Sequence, residues 1–523
     1  MRDDEIRERL REQNPWWRAA AGADPLAWVQ TDPTLRSRTT FDLGYRSDLL
    51  DDVAANPIDD KLVVLRGPRR IGKSVLLKDT AAALCARPDV DPRQLVYLPT
   101  DAMRAEDLRR VAKLGRDLTR SVGEVRRVRL LDEVTGIPGW TEAIKYLRDN
   151  TELSADTVVC TGSSWDERAD IERDLLAGRA GTASTRRSRV LHPMSFRDVL
   201  IATGRELPLP RHLPPWALQS ADARAAAEML EHYLDDLNLA WQAYLTSGGF
   251  PRAVAEHHHQ GEVSDAFLYD LAAWLHRGVD PAAGEDSVPK LLAGLQDRFT
   301  SPLNRSRLAQ DLGYANRQGL EVRLTRLTRT FAALWCHQVD QEGNRVAGAQ
   351  SKLYLADPLL AWLGTRRRSG LPTPDFAHLT EASIGVMLAR CIDAREPGRW
   401  VTDDSIGYLR TGNGNEIDFA PVSVRGPSGP FGAGEVRADR VEVGRHRLAR
   451  RSQDDRGKIH RRRGRDPDDS RLHPPVLGSA GATPGDPSRI ARRLASATAC
   501  YEQVFVTTEG RGPAAVIEDR CGG

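Results

Sequence analysis

The residues of this chain best suited to chemistry form a glycine-rich stretch that ends in lysine and serine. Residues 67–74 read Gly-Pro-Arg-Arg-Ile-Gly-Lys-Ser and fit the phosphate-loop pattern G-x-x-x-x-G-K-[ST]. Glycine at both fixed positions lets backbone N–H groups wrap closely around phosphate oxygens. Lys73 is predicted to reach the β- and γ-phosphates, and Ser74 to bind Mg²⁺. The predicted cofactors are therefore ATP and Mg²⁺, and the predicted nucleotide-binding residues are Gly67, Pro68, Arg69, Arg70, Ile71, Gly72, Lys73, Ser74 and Val75.

The segments on both sides of this loop have the periodicity that a nucleotide site requires. Residues 61–66 form a short β-branched apolar run that predicts a buried strand, and residues 75–85 have helical spacing. A strand, a glycine-rich turn and a helix in this order place the helix N-terminus at the anion. The alternative is a turn that binds nothing, but the complete motif and both flanks favour the nucleotide site.

Two acidic residues follow a second apolar run, residues 128–131. Asp132 is predicted to hold Mg²⁺ directly or through water, because carboxylate oxygen is a hard ligand. Glu133 is predicted to polarise the water that attacks the γ-phosphate. Arg129 interrupts the apolar run, and a surface turn with two acids is the alternative.

A third apolar run, residues 157–161, ends in polar residues. In ATPases with an extra strand between the two nucleotide-binding elements, a hydroxyl or amide here senses the γ-phosphate. Ser163 is the candidate, with Thr161 and Ser164 as alternatives, and a structural serine-rich turn is equally open. Arg179 is a candidate to stabilise transition-state charge, in its own subunit or a neighbouring one, and a solvated arginine is the alternative.

The elements that must position these residues alternate between strand and helix. Between about residues 60 and 200 the strand-like runs are 62–65, 95–98, 128–131 and 157–161. This alternation predicts an α/β fold with a parallel sheet covered by helices. Residues 200–290 are predicted to be mainly helical, 304–329 to form a compact helical segment, and 350–437 to be mixed α/β.

Composition excludes several classes of protein. The 523 residues predict three or four domains. With 75 Lys and Arg against 73 Asp and Glu, the overall charge is close to neutral and does not indicate binding to nucleic acid or to a membrane. The six scattered cysteines argue against a disulfide framework and suit a reducing cytosol. No apolar run approaches the ~20 residues needed to cross a bilayer, and the charged amino terminus is no signal peptide, so we expect a cytoplasmic protein.

The C-terminal part of the sequence has a different composition. Residues 440–488 are rich in Arg, Asp, Pro and Gly and poor in aromatics. Such a segment cannot bury enough apolar surface to offset its ordering entropy, so we predict disorder. A reading-frame error in a GC-rich gene is the alternative to a genuine insertion, and residues 503–508 predict one late strand.

Together the motifs resemble a prokaryotic family of AAA-type P-loop ATPases with a C-terminal domain of unknown function. The matching stretches are residues 67–74, 131–133 with Trp140, 144–149, 161–164, 176–179, 191–200, 248–251, 352–357 and 416–419. The resemblance covers about residues 10 to 437 and implies a P-loop NTPase parallel sheet, a helical lid, a winged-helix module and a degenerate restriction-endonuclease-like α/β domain. The predicted boundaries are 1–50 (N-terminal segment), 51–205 (ATPase domain), 206–290 (lid), 291–345 (winged-helix-like), 346–437 (nuclease-like) and 438–523 (largely disordered or aberrant tail).

The winged-helix region offers a basic helix face. Residues 317–329 predict a helix with one leucine side, and the opposite side carries Arg317, Arg323 and Arg326. Contact with DNA phosphates and packing against another domain are two equally supported interpretations.

The nuclease-like region lacks one residue of its expected site. Asp418 and Glu435 are the candidate metal ligands, and Arg437 stands where such nucleases use a lysine to activate water. Because arginine does not deprotonate, we expect little or no nuclease activity. Three consecutive histidines, residues 257–259, do not share a helix face and predict a solvated helix end rather than a metal site.

The leading functional hypothesis is an ATP-binding, Mg²⁺-dependent ATPase that acts as a nucleotide-driven switch. A nucleotide-regulated DNA-binding protein is the alternative, and an ATP-regulated nuclease is less favoured. Besides nucleotide, the candidate partners are DNA through the winged-helix region, an unidentified protein and further copies of the chain, with no membrane.

Overall fold

The computed structural model describes residues 1–18, 24–123, 125–163, 179, 187–214, 217, 220–296, 298–367, 373–396, 398–411 and 415–423. Some predictions concern residues outside these ranges. They are the candidate sensor Ser164, the acid Glu435 with its neighbour Arg437, the predicted disorder over residues 440–488 and the late strand at 503–508.

Five parallel strands form the sheet of the N-terminal half. They are β1 Lys61–Arg66, β2 Leu95–Pro99, β3 Val128–Asp132, β4 Thr157–Gly162 and β5 Ser188–Val190. The strand order is β2-β3-β4-β1-β5, and every neighbouring pair is parallel. Strands β1, β3 and β4 are buried along their whole length, as expected for a sheet covered on both faces. This is the predicted P-loop NTPase α/β fold, with β4 between the two strands that carry the nucleotide motifs.

Strand β5 was not predicted from the sequence. It has only three residues, and its middle residue is Arg189. That arginine is buried because its guanidinium forms an ion pair with Asp52, 2.6 Å away. An ion pair between residues so distant in the chain leaves no apolar pattern in the local sequence.

Among the described residues, six α-helices accompany this sheet. They are α1 Asp3–Gln13, α2 Pro33–Thr39, α3 Asp51–Ala55, α4 Lys73–Cys85, α5 Ala105–Leu118 and α6 Trp140–Asn150. The N-terminal segment packs on the edge strand β2: the indoles of Trp16 and Trp17 both donate to the Leu95 carbonyl, at 3.2 and 2.8 Å. The Asn14 side-chain amide hydrogen-bonds to both the N–H and the carbonyl of Tyr97, so these two backbone groups of the edge strand are not left unpaired.

The described residues between 196 and 329 form helices joined by loops, in agreement with the mainly helical prediction. The helices are α7 Phe196–Ala202, α8 Ala221–Glu231, α9 Leu234–Ser247, α10 Pro251–Gln260, α11 Asp265–Val279, α12 Ser287–Gln296, α13 Arg305–Asp311 and α14 Arg317–Arg329. In the described part of the chain, no helix has the length and hydropathy needed to cross a membrane.

The arginines of α14 bind within the chain. Arg323 forms a two-bond ion pair with Asp280, at 2.6 and 2.9 Å, and Arg326 donates to the Val279 carbonyl at 3.3 Å. Arg317 pairs with Glu321 on the same helix at 2.8 Å. Two of the three predicted DNA contacts thus hold α14 against the end of α11, which favours the packing interpretation.

A second sheet lies in the C-terminal part. Its strands are β6 Ala333–Val339, β7 Lys352–Leu355, β8 Gly407–Arg410 and β9 Glu416–Ala420, and its helices are α15 Pro358–Arg367 and α16 Phe376–Arg395. The order is β7-β6-β8-β9, with β6 and β8 parallel and the other pairs antiparallel. Strand β6 precedes the predicted boundary at residue 345 and pairs with strands that follow it. The winged-helix and nuclease-like assignments remain predictions.

Three stretches of the family resemblance meet at one junction. The Met194 N–H donates to the Gly249 carbonyl, and the Gly249 N–H donates to the Asp357 carboxylate, both at 2.7 Å. A Cβ at Gly249 would lie 2.1 Å from the Met194 carbonyl oxygen, so only glycine fits. Burial raises the pKa of Asp357 from 3.8 to about 7, although two backbone N–H groups oppose the shift. The junction joins the five-stranded sheet, the helical region and the C-terminal sheet.

Candidate active site

The loop between β1 and α4 has the backbone that its glycines permit. Gly67, Arg70 and Gly72 have φ angles of 153°, 68° and 103°. A Cβ at Gly67 would lie 2.3 Å from the carbonyl oxygen of Leu191, the residue after β5. The Leu191 N–H in turn donates to the Arg66 carbonyl at 2.7 Å. The loop is therefore braced by the end of β5, and glycine at 67 is a steric requirement.

Lys73, the first residue of α4, is buried at the centre of the site. Only 4% of the surface of this residue is exposed. Its Nζ donates to the carbonyls of Gly67 and Pro68 at 3.1 and 3.0 Å. Nζ also donates to the Ser163 hydroxyl at 2.9 Å. Burial lowers the pKa of Lys73, and the charges of Glu133 and Asp132 oppose that effect. The loop carbonyls that contact this ammonium are neutral, whereas phosphate oxygens would give it anionic partners.

The predicted base Glu133 and the predicted sensor Ser163 contact each other. The Ser163 hydroxyl donates to Glu133 Oε1 at 2.5 Å, and the same oxygen lies 3.6 Å from Lys73 Nζ. Glu133 directly follows β3 and has a φ of 57°, a left-handed conformation that a non-glycine residue seldom adopts. Its N–H donates to the Thr161 hydroxyl at 2.9 Å, which holds the strained turn. Lys73, Ser163 and Glu133 thus form one hydrogen-bonded row.

Asp132 is held by two hydroxyl groups from the neighbouring strands. Thr161 Oγ1 on β4 donates to Oδ1 at 2.6 Å, and the Tyr97 hydroxyl on β2 donates to Oδ2 at 3.0 Å. Burial and the charge of Asp132 raise the pKa of Tyr97, so the phenol stays protonated. Tyr97 was not predicted as a site residue, because only the strand order brings β2 beside β3.

The donor set at Asp132 fits Mg²⁺. Only 3% of the surface of Asp132 is exposed. The groups that hydrogen-bond its carboxylate are neutral hydroxyls, which leave its negative charge available to a cation. Ser74, the second residue of α4, is the other predicted ligand. Within the described ranges, no group of three or more His, Cys, Asp or Glu residues could hold a metal. Mg²⁺ commonly takes one or two protein oxygens and completes its shell with phosphate and water, which is the arrangement these residues suit.

Arg70 connects the loop to the helical region. Its guanidinium lies 3.0 Å from the carboxylate of Asp270 in α11, and about half of the arginine side chain is exposed. Arg70 therefore lies on the side of the loop that faces the helices, and Arg69 beside it is exposed. A rearrangement of the loop would therefore alter the contact between Arg70 and α11.

Arg179 lies near the amino-terminal ends of the strands, at the end of the sheet opposite to the phosphate loop. It forms a two-bond ion pair with Asp149 near the end of α6, at 2.6 and 2.8 Å. Its carbonyl accepts from Arg148, which also pairs with Asp60 just before β1 begins. The phosphate loop follows the other end of β1, about 20 Å away for six residues of strand. Arg179 therefore does not reach the loop of its own subunit, and a role in a neighbouring subunit stays a prediction.

A second charged cluster lies in the C-terminal sheet. The fully buried Nζ of Lys352 on β7 contacts Asp418 and Glu416 at 2.8 Å and Glu381 at 3.3 Å. Burial lowers the pKa of Lys352 and the surrounding carboxylates raise it more, while burial raises the pKa of Glu381 to about 7. An internal cation thus contacts Asp418, the predicted metal ligand. Neither Lys352, although it begins one of the stretches of the family resemblance, nor Glu381 was predicted to contact Asp418, because the three residues come from elements far apart along the chain.

The three histidines lie at the C-terminal end of α10, where a helix end was predicted. His258 and His259 are exposed. His257 is half-buried beside a cavity of about 160 Å³ between α7, α9 and α10, and burial lowers its pKa. These contacts are structural.

A family model described as an AAA domain matches residues 59–200. A comparison with curated proteins gave no match. The matched residues contain the five-stranded sheet, the phosphate loop and both acids. Together with the strand order, the match supports a P-loop NTPase α/β fold for residues 59–200.

The chain is also similar to solved structures. The Walker-type ATPase of Pyrococcus abyssi is 16% identical with a TM-score of 0.36, and the alignment covers 61% of this chain and 95% of that one. The RuvB Holliday junction branch migration motor of Thermotoga maritima is 13% identical (TM-score 0.28; 55% and 85% covered). Orc1 of Aeropyrum pernix in complex with DNA is 14% identical (TM-score 0.29; 68% and 95% covered). These scores are low, so the fold assignment rests on strand order and on the family model.

Proposed function

We propose that this protein binds ATP with Mg²⁺, hydrolyses it, and uses the cycle as a conformational switch. One observation carries the proposal: Lys73, Ser163 and Glu133 form a hydrogen-bonded row at the carboxyl edge of the sheet, beside the buried carboxylate of Asp132. Parallel α/β sheets bind ligands at this edge. A phosphate-loop lysine and an acid that can act on water are among the groups that ATP hydrolysis uses.

Each residue has a distinct task in the proposed reaction. The loop N–H groups and Lys73 bind the β- and γ-phosphates, and Ser74 with Asp132 would hold Mg²⁺, which supplies positive charge against the phosphates. Glu133 accepts a proton from the attacking water and orients it. Ser163 contacts both Lys73 and Glu133, so it can report to the acid whether the lysine is bound to phosphate.

The switch follows a continuous set of contacts. Arg70 of the loop pairs with Asp270 on α11, and α11 leads to Asp280, which pairs with Arg323 of α14. Ten residues of helix separate the two acids, about 15 Å. Phosphate binding would compete with Asp270 for Arg70 and so alter the contact between loop and α11. The ion pairs at Asp270, within the helix, and at Asp280, just after it, make α11 the element that would transmit the change to the following region.

The substitution Lys73→Ala tests the binding step. It should abolish binding of a fluorescent ATP analogue, because the ammonium is the central cation of the site. Lys113→Ala, an exposed lysine on α5, is the matched control and should bind like the parent. Equal binding by Lys73→Ala and the parent would contradict the proposed site.

The DNA-binding alternative has weaker support. Arg323 and Arg326 are engaged with the end of α11, which leaves the partly exposed Arg317 on that face. Duplex binding at low salt, compared with and without ATP, tests it, because phosphate contacts weaken steeply as salt rises. An ATP-regulated nuclease is also less supported, because Lys352 contacts Asp418. Plasmid nicking with Mg²⁺ or Mn²⁺ that disappears in Asp418→Ala would establish it.

A further inference from the structure

We propose that Tyr97 is a positioning residue that orients the Asp132 carboxylate for Mg²⁺. The inference rests on the proposed function and adds a residue to it from a strand that carries no nucleotide motif. The Tyr97 hydroxyl donates to Asp132 Oδ2 at 3.0 Å from the β2 side, opposite Thr161, which donates to Oδ1 at 2.6 Å from the β4 side.

Two hydroxyl donors fix a carboxylate without cancelling its charge. Each Asp132 oxygen accepts one hydrogen bond and keeps a further lone pair for a metal or its water. A lysine or arginine at either position would compete with a cation for the carboxylate. The residues that hydrogen-bond a ligating carboxylate orient it and tune its affinity for metal.

Tyr97 is itself held in place by the N-terminal segment. The Asn14 amide accepts from the Tyr97 N–H at 2.7 Å and donates to its carbonyl at 2.8 Å. Lys78 Nζ lies 5.2 Å from the centre of the Tyr97 ring and pairs with Asp32 at 2.5 Å. The lysine that lies nearest the ring is therefore engaged with Asp32, and the phenol is aimed at Asp132 from a fixed backbone.

A purely structural role would give a different result. A buried tyrosine usually needs a hydrogen-bond partner, and Asp132 would satisfy it without any effect on metal. In that case, removing the hydroxyl would change stability and would change ATP binding equally with and without Mg²⁺. A positioning role changes only the part of ATP binding and turnover that depends on Mg²⁺.

The test uses the full chain with Tyr97→Phe, and Tyr244→Phe as the matched control. Tyr244 is also buried, and its hydroxyl contacts the Met194 carbonyl at 3.5 Å, away from the site. Affinity for a non-hydrolysable ATP analogue is measured in EDTA and across a Mg²⁺ titration, with the melting temperature of each variant. We expect Tyr97→Phe to bind the analogue like the parent in EDTA and to need about tenfold more Mg²⁺ for the metal-dependent gain in affinity.

The outcomes separate this inference from the proposed function. If the parent binds no analogue, the proposed function fails and Tyr97 has nothing to position. If the parent gains affinity with Mg²⁺ and Tyr97→Phe has the same Mg²⁺ midpoint, only the inference on Tyr97 is overturned. Loss of the folded state in Tyr97→Phe, or an equal shift in Tyr244→Phe, would also overturn it, because the hydroxyl would then serve the core.

Discussion

The ammonium of Lys73 lies 3.6 Å from the carboxylate of Glu133, and the Ser163 hydroxyl accepts from the first and donates to the second. The phosphate-binding lysine and the candidate base are therefore coupled through one hydroxyl. A phosphate that draws the ammonium toward itself would leave Ser163 and Glu133 free to rearrange. This relationship gives a physical reason why hydrolysis would respond to the bound γ-phosphate.

Ser163→Ala should uncouple the two residues. We expect ATP binding to stay near the parent value, because the loop and Lys73 remain, while kcat falls roughly 10²-fold as Glu133 loses its orientation. Steady-state kinetics with separate kcat and KM values measure this. Ser306→Ala, an exposed serine on α13, is the control. A parent-like kcat for Ser163→Ala would show that the hydroxyl has no part in the reaction.

Asp270→Asn should weaken the link between the loop and α11. Since Arg70 is about half exposed, we expect the free energy of unfolding to change by no more than about 1 kcal/mol. The expected effect is a loss of ATP-induced protection of α11 and α14 in hydrogen exchange, with ATP still bound. Asp265→Asn at the start of the same helix is the control. Protection that persists in Asp270→Asn would show that the change does not travel through this pair.

Asp357 should make stability depend on pH. Its folded pKa is raised from 3.8 to about 7, so the native state holds more protons than the unfolded state between these values. The free energy of unfolding should therefore fall as pH rises from about 4 to 7, by at most about 1.4 kcal/mol per pH unit. Denaturant unfolding across this range, for the parent and Asp357→Asn, measures the difference. We expect the stability of Asp357→Asn to increase relative to that of the parent as pH rises. Parallel pH profiles of the two proteins would contradict the raised pKa of Asp357.

Lys352→Met should destabilise the C-terminal sheet. Removal of the cation leaves Glu381 and Asp418 without their Lys352 partner, while Glu416 keeps its ion pair with Arg410; because Glu381 is largely buried, we expect a cost of about 3 kcal/mol. Denaturant unfolding compares it with Lys290→Met, an exposed lysine on α12. A change under about 1 kcal/mol would mean that water screens these carboxylates as it does surface pairs.

The local motifs of the ATPase domain could be predicted from sequence, and its long-range contacts could not. The loop and the strands β1 to β4 follow from apolar runs and fixed residue spacing, which are local properties. Tyr97 reaches Asp132 only because β2 pairs with β3, and Lys352 reaches Glu381 only through the packing of β7 against α16. Arg179 illustrates the converse: its position in the sequence suggested the active site, but its contacts with Asp149 and Arg148 place it near the start of β1, whereas the phosphate loop follows the end of that strand.

The central claim is that Glu133 acts on water at a nucleotide held by the phosphate loop. The most direct measurement is phosphate release from ATP by Glu133→Gln, together with equilibrium binding of ATP to the same protein. Glutamine keeps the size of the side chain and loses the proton acceptor, so we expect parent-like binding with ATP retained unhydrolysed. Hydrolysis by Glu133→Gln at the parent rate would contradict the account.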